Sequence, residues 1–267
     1  QPQSEDCLFL NVWAPPRSGA PLPVLVWIHG GDLTRGSGAS DFGPEGSSIP
    51  FARKGIVVVS LNHRLGALGY LAHPELSAES PQKVSGNYGL LDQIAALQWV
   101  RDNIAAFGGD PARVTIAGQS GGAESVSALI ASPLARGLFA RAVGQSGRVF
   151  MPGVFLRDGS EGRLSAEGAG LSFTREVLGV APEESLRALR SAPTDAILRT
   201  GFVARETVDG WVLPDEVRTM IRQRRHNSVP VIVGSNADEA TALVGPAFVP
   251  ATMDIYRERV TARYGAS

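Results

Sequence analysis

Short continuous apolar runs alternate along this chain with longer stretches in which apolar residues recur every three or four positions. Val24-Leu25-Val26-Trp27-Ile28 is apolar throughout and rich in β-formers, as a strand buried on both faces should be. Ile56 to Leu61, Val114 to Ala117, Ala142 to Gln145 and Val231 to Gly234 repeat that pattern, and Leu8 to Val12 reads as a further strand. From Tyr88 to Phe107, Leu90, Leu91, Ile94, Leu97, Val100 and Ile104 carry the helical spacing. Asp110-Pro111 reads as a turn after it. A second helix follows Gly122 and stops before Pro133, a third covers Leu164 to Leu178, a fourth Pro182 to Leu189 and a fifth Asp215 to Arg224. Strands alternating with helices predict an α/β fold, a mostly parallel central sheet with helices on both faces. The chemistry of such sheets gathers beyond the carboxyl ends of the strands.

One of those ends is distinctive. The strand Val114 to Ala117 runs into Gly118-Gln119-Ser120-Gly121-Gly122 and then a helix, which is G-x-S-x-G in strand–turn–helix context. A sharp turn there lifts a serine hydroxyl off the sheet, and the Gly121 N–H at the helix start can donate to an oxyanion. The bare pattern is short enough to arise by chance, so its context carries the reading; the plain alternative makes Ser120 a helix cap. The strand ending at Ile28 leads into His29-Gly30-Gly31, either a flexible loop start or a second source of oxyanion N–H groups. Past Gly234, Asp238 and Glu239 could orient a histidine or simply cap a helix.

Composition narrows the classes. Lys+Arg total 25 and Asp+Glu 26, a net charge of -1 with no polybasic run, which argues against nucleic acid as a partner. No apolar run approaches the ~20 residues of a membrane helix. The single cysteine, Cys7, permits no intrachain disulfide, and the four histidines lack the paired spacing of a zinc site. Lys54 and Lys83 are the only lysines, which with the abundant Gly and Ala suggests a GC-rich bacterial coding bias. Gln1 at the start leaves localisation open between cytoplasmic and secreted.

Longer motifs add a resemblance. Ser4-Glu5-Asp6-Cys7-Leu8-Phe9-Leu10-Asn11-Val12 and the stretch Phe107-Gly108-Gly109-Asp110-Pro111 through Gly122 resemble the two signatures of the type-B carboxylesterase family, the cholinesterase-like branch of the α/β-hydrolases. Asn62 to Gly66, Gly86 to Gln93 and Ala142 to Gly147 fit it as well. The resemblance implies a carboxylic ester hydrolase working through an acyl-serine on a small-molecule ester, with no cofactor. By position, Ser120 matches the nucleophile and Glu239 the acid. Gly30, Gly31 and Gly121 match the oxyanion hole, and Ser125 and Ser146 polar residues behind the triad. Arg64 and Asp92 match a structural ion pair. Cys7 matches a cysteine that is disulfide-bonded in secreted animal members and here reads as a small buried residue. Arg148 to Gly153 matches a region shaping the acyl pocket, with Gly153 where some relatives carry a bulky aromatic.

Departures from the family pattern matter too. Asp32 stands where a small oxyanion-loop residue is usual, so its carboxylate should point away or impair activity. Gln119 and Gly121 flank the serine where Glu and Ala are commoner, and Ala240 replaces a glycine. No histidine follows Glu239, although the fold places the base after the acid. The expectation is therefore a single partial domain over residues 1–267, truncated at both ends, whose partner is the remainder of its own fold or an oligomer. The rival expectation is an inactive interaction domain or a non-functional fragment.

Overall fold

A computed structural model describes residues 4–16, 19–39, 49–148, 152–159, 162–198, 201–239 and 252–264. Ala240, residues 40–48 and residues 149–151 lie outside the described residues. The strands are β1 (Leu10–Trp13), β2 (Leu22–Ile28), β3 (Val57–Leu61), β4 (Gly109–Gln119), β5 (Arg141–Gln145), β6 (Val154–Phe155), β7 (Thr207–Val208) and β8 (Val231–Gly234). The helices are α1 (Ile49–Arg53), α2 (Gly66–Tyr70), α3 (Pro74–Glu79), α4 (Tyr88–Asn103), α5 (Gly121–Ala131), α6 (Ala166–Leu178), α7 (Ser185–Ser191), α8 (Thr194–Leu198), α9 (Val217–Arg222) and α10 (Met253–Tyr264). Six strands form one sheet in the order β1-β3-β2-β4-β5-β8. Only β1 runs antiparallel to its neighbour; the other four pairings are parallel, as the strand–helix alternation predicts.

The chain divides into two compact units, 1–234 and 235–267. In the first, Val24, Val26 and Ile28 of β2, Val57 and Val59 of β3, and Val114 and Ile116 of β4 share a core with Leu90, Leu97 and Val100 of α4, Val126 and Leu129 of α5, and Met220 of α9. Burial along β2 alternates: Leu25 and Trp27, on the opposite face, are only half-buried. Continuous apolarity predicted burial on both faces; among the described residues one face carries the core and the other is partly covered. At the sheet edge, Val231, Ile232 and Val233 of β8 are 46%, 69% and 73% exposed. The second unit contains the turn 235–239 and α10. Among the described residues no helix is long and apolar enough to cross a membrane.

Several boundaries differ from the pattern-based reading. The first strand begins at Leu10, with Leu8 and Phe9 exposed before it. Asp110-Pro111 lies inside β4 rather than at a turn, because the chain reverses earlier, at Gly108 in the left-handed region (φ 82°). The helix from Tyr88 ends at Asn103, and Ile104–Phe107 tightens into a 3-10 turn. The third helix starts at Ala166, where the Ser165 hydroxyl accepts the Gly168 N–H. The fourth splits into a 3-10 turn at Pro182–Glu184 followed by α7, and the fifth shortens to α9.

Candidate active site

Ser120 sits between β4 and α5 with φ 54° and ψ -121°, a conformation costly for a residue with a Cβ, on the order of 1–3 kcal/mol. Tight packing holds it there. The Ser120 N–H donates to the Gln145 carbonyl at 2.8 Å, and its own carbonyl accepts the N–H groups of Ala123 and Glu124. A Cβ on Gly118 would stand 2.5 Å from the Gly122 carbonyl, and one on Gly122 only 2.1 Å from the Ile28 oxygen. These two glycines let the turn press against the end of β2, and the strain at Ser120 follows from that approach. Gly121 is less constrained, since its Cβ would meet the Asp32 nitrogen at 3.0 Å.

The loop after β2 lies against this turn. A Cβ on Gly30 would come within 3.5 Å of the Ser120 Cβ. Gly31 adopts φ 111°, and its carbonyl accepts the N–H groups of Thr34 and Arg35. Asp32 and Leu33 follow at φ 57° and 58°, also left-handed. The Gly121 N–H, first in its helix, has no intrahelical acceptor. Gly30 and Gly121 thus lie beside Ser120, with Gly31 next in the same loop.

The Asp32 carboxylate is held by Arg148, whose guanidinium also binds Glu124 on the first turn of α5. Arg148 therefore bridges the loop after β2 to the serine helix. Behind the turn, Ser125 is fully buried and its hydroxyl accepts a hydrogen bond from Gln93 at 3.0 Å. Ser146, at φ 55°, follows β5 and donates its N–H to the Gly234 carbonyl at 2.7 Å. Arg64 pairs with Asp92 through two contacts of 2.8 Å, and its backbone N–H adds a third bond at 2.9 Å. Cys7 is half-buried, and burial raises its thiol pKa. Glu239 belongs to the second unit, where its carboxylate accepts the Asn236 N–H at 3.0 Å and closes the 235–239 turn.

Among the described residues no imidazole is hydrogen-bonded to the serine hydroxyl. His29 and His63 stack with centroids 4.7 Å apart, and their Nδ1 atoms lie 2.8 and 3.1 Å from the Gly30 and Arg64 carbonyl oxygens. Burial, and then His29, depress the His63 pKa to about 3. His73 caps α3 and meets the Ser185 hydroxyl at 2.7 Å. His226 precedes Asn227, whose side chain and N–H bind the last carbonyls of α5. That is the opposite end of an 11-residue helix, roughly 16 Å from Ser120. Among the described residues no group of three or more His, Cys, Asp or Glu is placed to hold a metal ion.

A solvent-open cleft begins one turn along α5. It is lined by Glu124, Arg148, Gly153, Arg205, Glu206 and Glu216, among others. Asn87, buried at the start of α4, exchanges two hydrogen bonds with the backbone of Thr207 and so fixes β7 and the Arg205-Glu206 pair before it. Burial, and then the charge of Glu124, raise the Glu206 pKa to about 7. The pattern-based reading found Gly153 but not Arg205 or Glu206. They precede a two-residue strand too short to carry a periodic signal, and Asp209, which turns the chain after it, was the only local cue.

Comparison with known proteins agrees with this geometry. The model of the carboxylesterase family matches residues 1–260. The chain is 40% identical over 263 residues to the fumonisin B1 esterase of Sphingopyxis macrogoltabida, covering 98% of this chain and 47% of that one. It is 39% identical over 248 residues to the para-nitrobenzyl esterase of Bacillus subtilis (strain 168), covering 91% and 49%. A solved PNB esterase superposes with a TM-score of 0.78 at 33% identity, over 98% of this chain and 56% of its own. The chain spans about half the length of the curated relatives it matches. A family match over nearly the whole chain, on a parallel sheet carrying G-x-S-x-G at a strained strand–helix turn, means that this chain belongs to the carboxylesterase family.

Proposed function

We propose that this chain carries the nucleophile of a serine carboxylesterase acting on a small-molecule carboxylic ester. The observation that carries the reading is Ser120, strained at a turn where the backbone N–H of Gly121 and the Gly30-Gly31 loop converge. The Ser120 oxygen attacks the ester carbonyl carbon while its proton passes to a base. The resulting oxyanion is held by N–H groups of the Gly30-Gly31 loop and Gly121 until the alcohol leaves with that proton. Water then cleaves the acyl-serine. This chemistry calls for side chains and backbone only, with no cofactor.

Glu239 is assigned as the acid that orients the base, and Ser125 and Ser146 as polar support behind the nucleophile. The base is assigned to a histidine outside residues 1–267, since His29 and His63 stack on each other, His73 is bonded to Ser185, and His226 lies beside Asn227 at the far end of α5. Residues 1–267 then form one part of a larger α/β-hydrolase domain, with the rest of that fold as its partner. An inactive interaction domain has no use for the strain stored at Ser120.

A fluorophosphonate probe on the intact protein tests the assignment. A mass shift on the Ser120 peptide, absent from Ser120→Ala, is expected; labelling elsewhere, or ester hydrolysis that survives Ser120→Ala, refutes it.

A further inference from the structure

The loop that carries Gly30 and Gly31 is tied to a second loop, 62–66, that takes no part in the proposed chemistry. The Gly38 N–H donates to the Asn62 side-chain oxygen at 2.7 Å, and the Gly66 N–H donates to the Leu33 carbonyl at 2.8 Å. A ring contact joins the same two loops. His29 and His63 stack 11° from parallel with centroids 4.7 Å apart, and both are buried, at 2% and 3% exposure. Loop 62–66 is itself fixed, because Arg64 is bonded to Asp92 on α4.

His29 directly precedes Gly30, whose backbone lies against Ser120. The loop also folds back onto the His29 ring, since a Cβ on Gly36 would stand 2.3 Å from its Nδ1. His29 is therefore held at its edge by Gly36 and on its face by His63. The part of His63 that matters follows from its tautomer. Its Nδ1 lies 3.1 Å from the Arg64 carbonyl oxygen, which can only accept, so the neutral ring carries its hydrogen there. Its Nε2 is then a bare lone pair, buried with no hydrogen-bond partner among the described residues. A buried acceptor left unmade costs stability, so Nε2 does not explain an imidazole at 63. The flat face does, and burial, then His29, keep it uncharged by lowering its pKa to about 3.

We infer that His63 is a positioning residue of the esterase: its ring face, together with the Asn62 bond to Gly38, sets where the Gly30 and Gly31 N–H groups stand when the oxyanion forms. The inference rests on Ser120 being the nucleophile. Donors fixed before charge develops stabilise it without reorganising, and a misplacement of about 1 Å can cost on the order of a hundredfold in rate.

Hydrogen exchange of the 29–38 peptide and hydrolysis of 4-nitrophenyl butyrate by the intact protein test it together, with active sites counted by fluorophosphonate titration. In His63→Ala the peptide should exchange at least about tenfold faster, and kcat per titrated site should fall about tenfold with KM within about twofold of the parent. His63→Phe keeps a flat face and should recover both to within about threefold of the parent. A residue needed only for folding would lower the number of titratable sites and leave kcat per site unchanged. Unchanged exchange or unchanged kcat per site in His63→Ala overturns the assignment, as does a His63→Phe variant no better than His63→Ala. Should His63→Ala not fold, Asn62→Ala removes the bond to Gly38; it should quicken exchange and lower kcat per site by about threefold each, and parental values of either overturn the clamp. Faster exchange in His63→Ala, from a parent that neither hydrolyses the ester nor takes the probe, sinks the esterase reading while the clamp stands. Turnover by the parent with parental exchange in His63→Ala does the reverse.

Discussion

Arg64 and Arg148 have the same chemistry and nearly the same exposure, 40% and 43%, yet they serve different ends. Arg64 meets one acid. Asp92 is 7% exposed, accepts the Nε–H and Nη2–H of one guanidinium edge and the Arg64 backbone N–H, and so closes a neutral unit between the approach to α2 and the second turn of α4. Arg148 meets two acids, one of them 57% exposed, and reaches from the loop beside the serine to the helix that the serine caps. Its cluster keeps a net negative charge and faces a cleft. A saturated pair fastens two elements. An over-subscribed arginine instead tunes the field at a site, because each acid competes for it.

The largest expected effect is on the saturated pair. Asp92→Ala leaves Arg64 half-buried without its partner and removes the acceptor of a backbone N–H, so it should cost about 3 kcal/mol. Thermal unfolding should show Tm falling by roughly 6–10 °C. A shift near zero would put Arg64–Asp92 in the class of surface pairs that contribute nothing measurable, and the contrast with Arg148 would collapse.

Next in size is Glu206, beside the second cluster. Its folded pKa of about 7 lies above that of a free glutamate, so between roughly pH 4.3 and 7 the folded chain keeps a proton that the unfolded chain has released. Its contribution is therefore fully present below pH ~4.3 and is lost as pH rises through 7. Relative to Glu206→Gln, the parent should lose on the order of 2 kcal/mol of unfolding free energy between pH 5 and pH 8. Denaturant melts of both chains at the two pH values check this; parallel behaviour would mean that the cluster neutralises its neighbour after all.

The saturated pair was legible in sequence and the over-subscribed one was not, for physical reasons. Arg64 and Asp92 were named through the family resemblance carried by Asn62 to Gly66 and Gly86 to Gln93, and the structure brings the two together. The strands were readable because Val24, Val26 and Ile28 must be apolar to be buried, and the serine turn because only glycine fits at 118 and 122. Asp32 stood out as a misplaced charge, but its partner Arg148 is 116 positions away, across a loop with no periodic signal. Arg205 and Glu206 become neighbours of Glu124 only through the buried Asn87 contacts to Thr207, and a polar residue before a helix gives no hint of so distant a partner.

The smallest effect belongs to Arg148 itself. Its pairs are partly exposed, so Arg148→Ala should change stability by less than about 1 kcal/mol. Its influence on Ser120 should be visible all the same. Without Arg148 the Asp32 carboxylate stands uncompensated beside the position where negative charge develops. A carboxylate about 6 Å away would oppose that charge by roughly 3 kcal/mol at an effective dielectric of 20, and solvent around an exposed side chain reduces this to about 1.4 kcal/mol, or tenfold in rate. Fluorophosphonate labelling of Ser120 should slow by that factor in Arg148→Ala. Asp32→Gly alone should label no more slowly than the parent, because Arg148 then serves Glu124 alone and the cluster becomes neutral. The Arg148→Ala/Asp32→Gly double variant should recover most of the loss, a coupling that a double-mutant cycle measures directly. If the double variant stays as slow as Arg148→Ala, Arg148 acts by positioning Glu124 and α5 rather than by shielding Asp32, and the distinction from Arg64 becomes one of location instead of electrostatics.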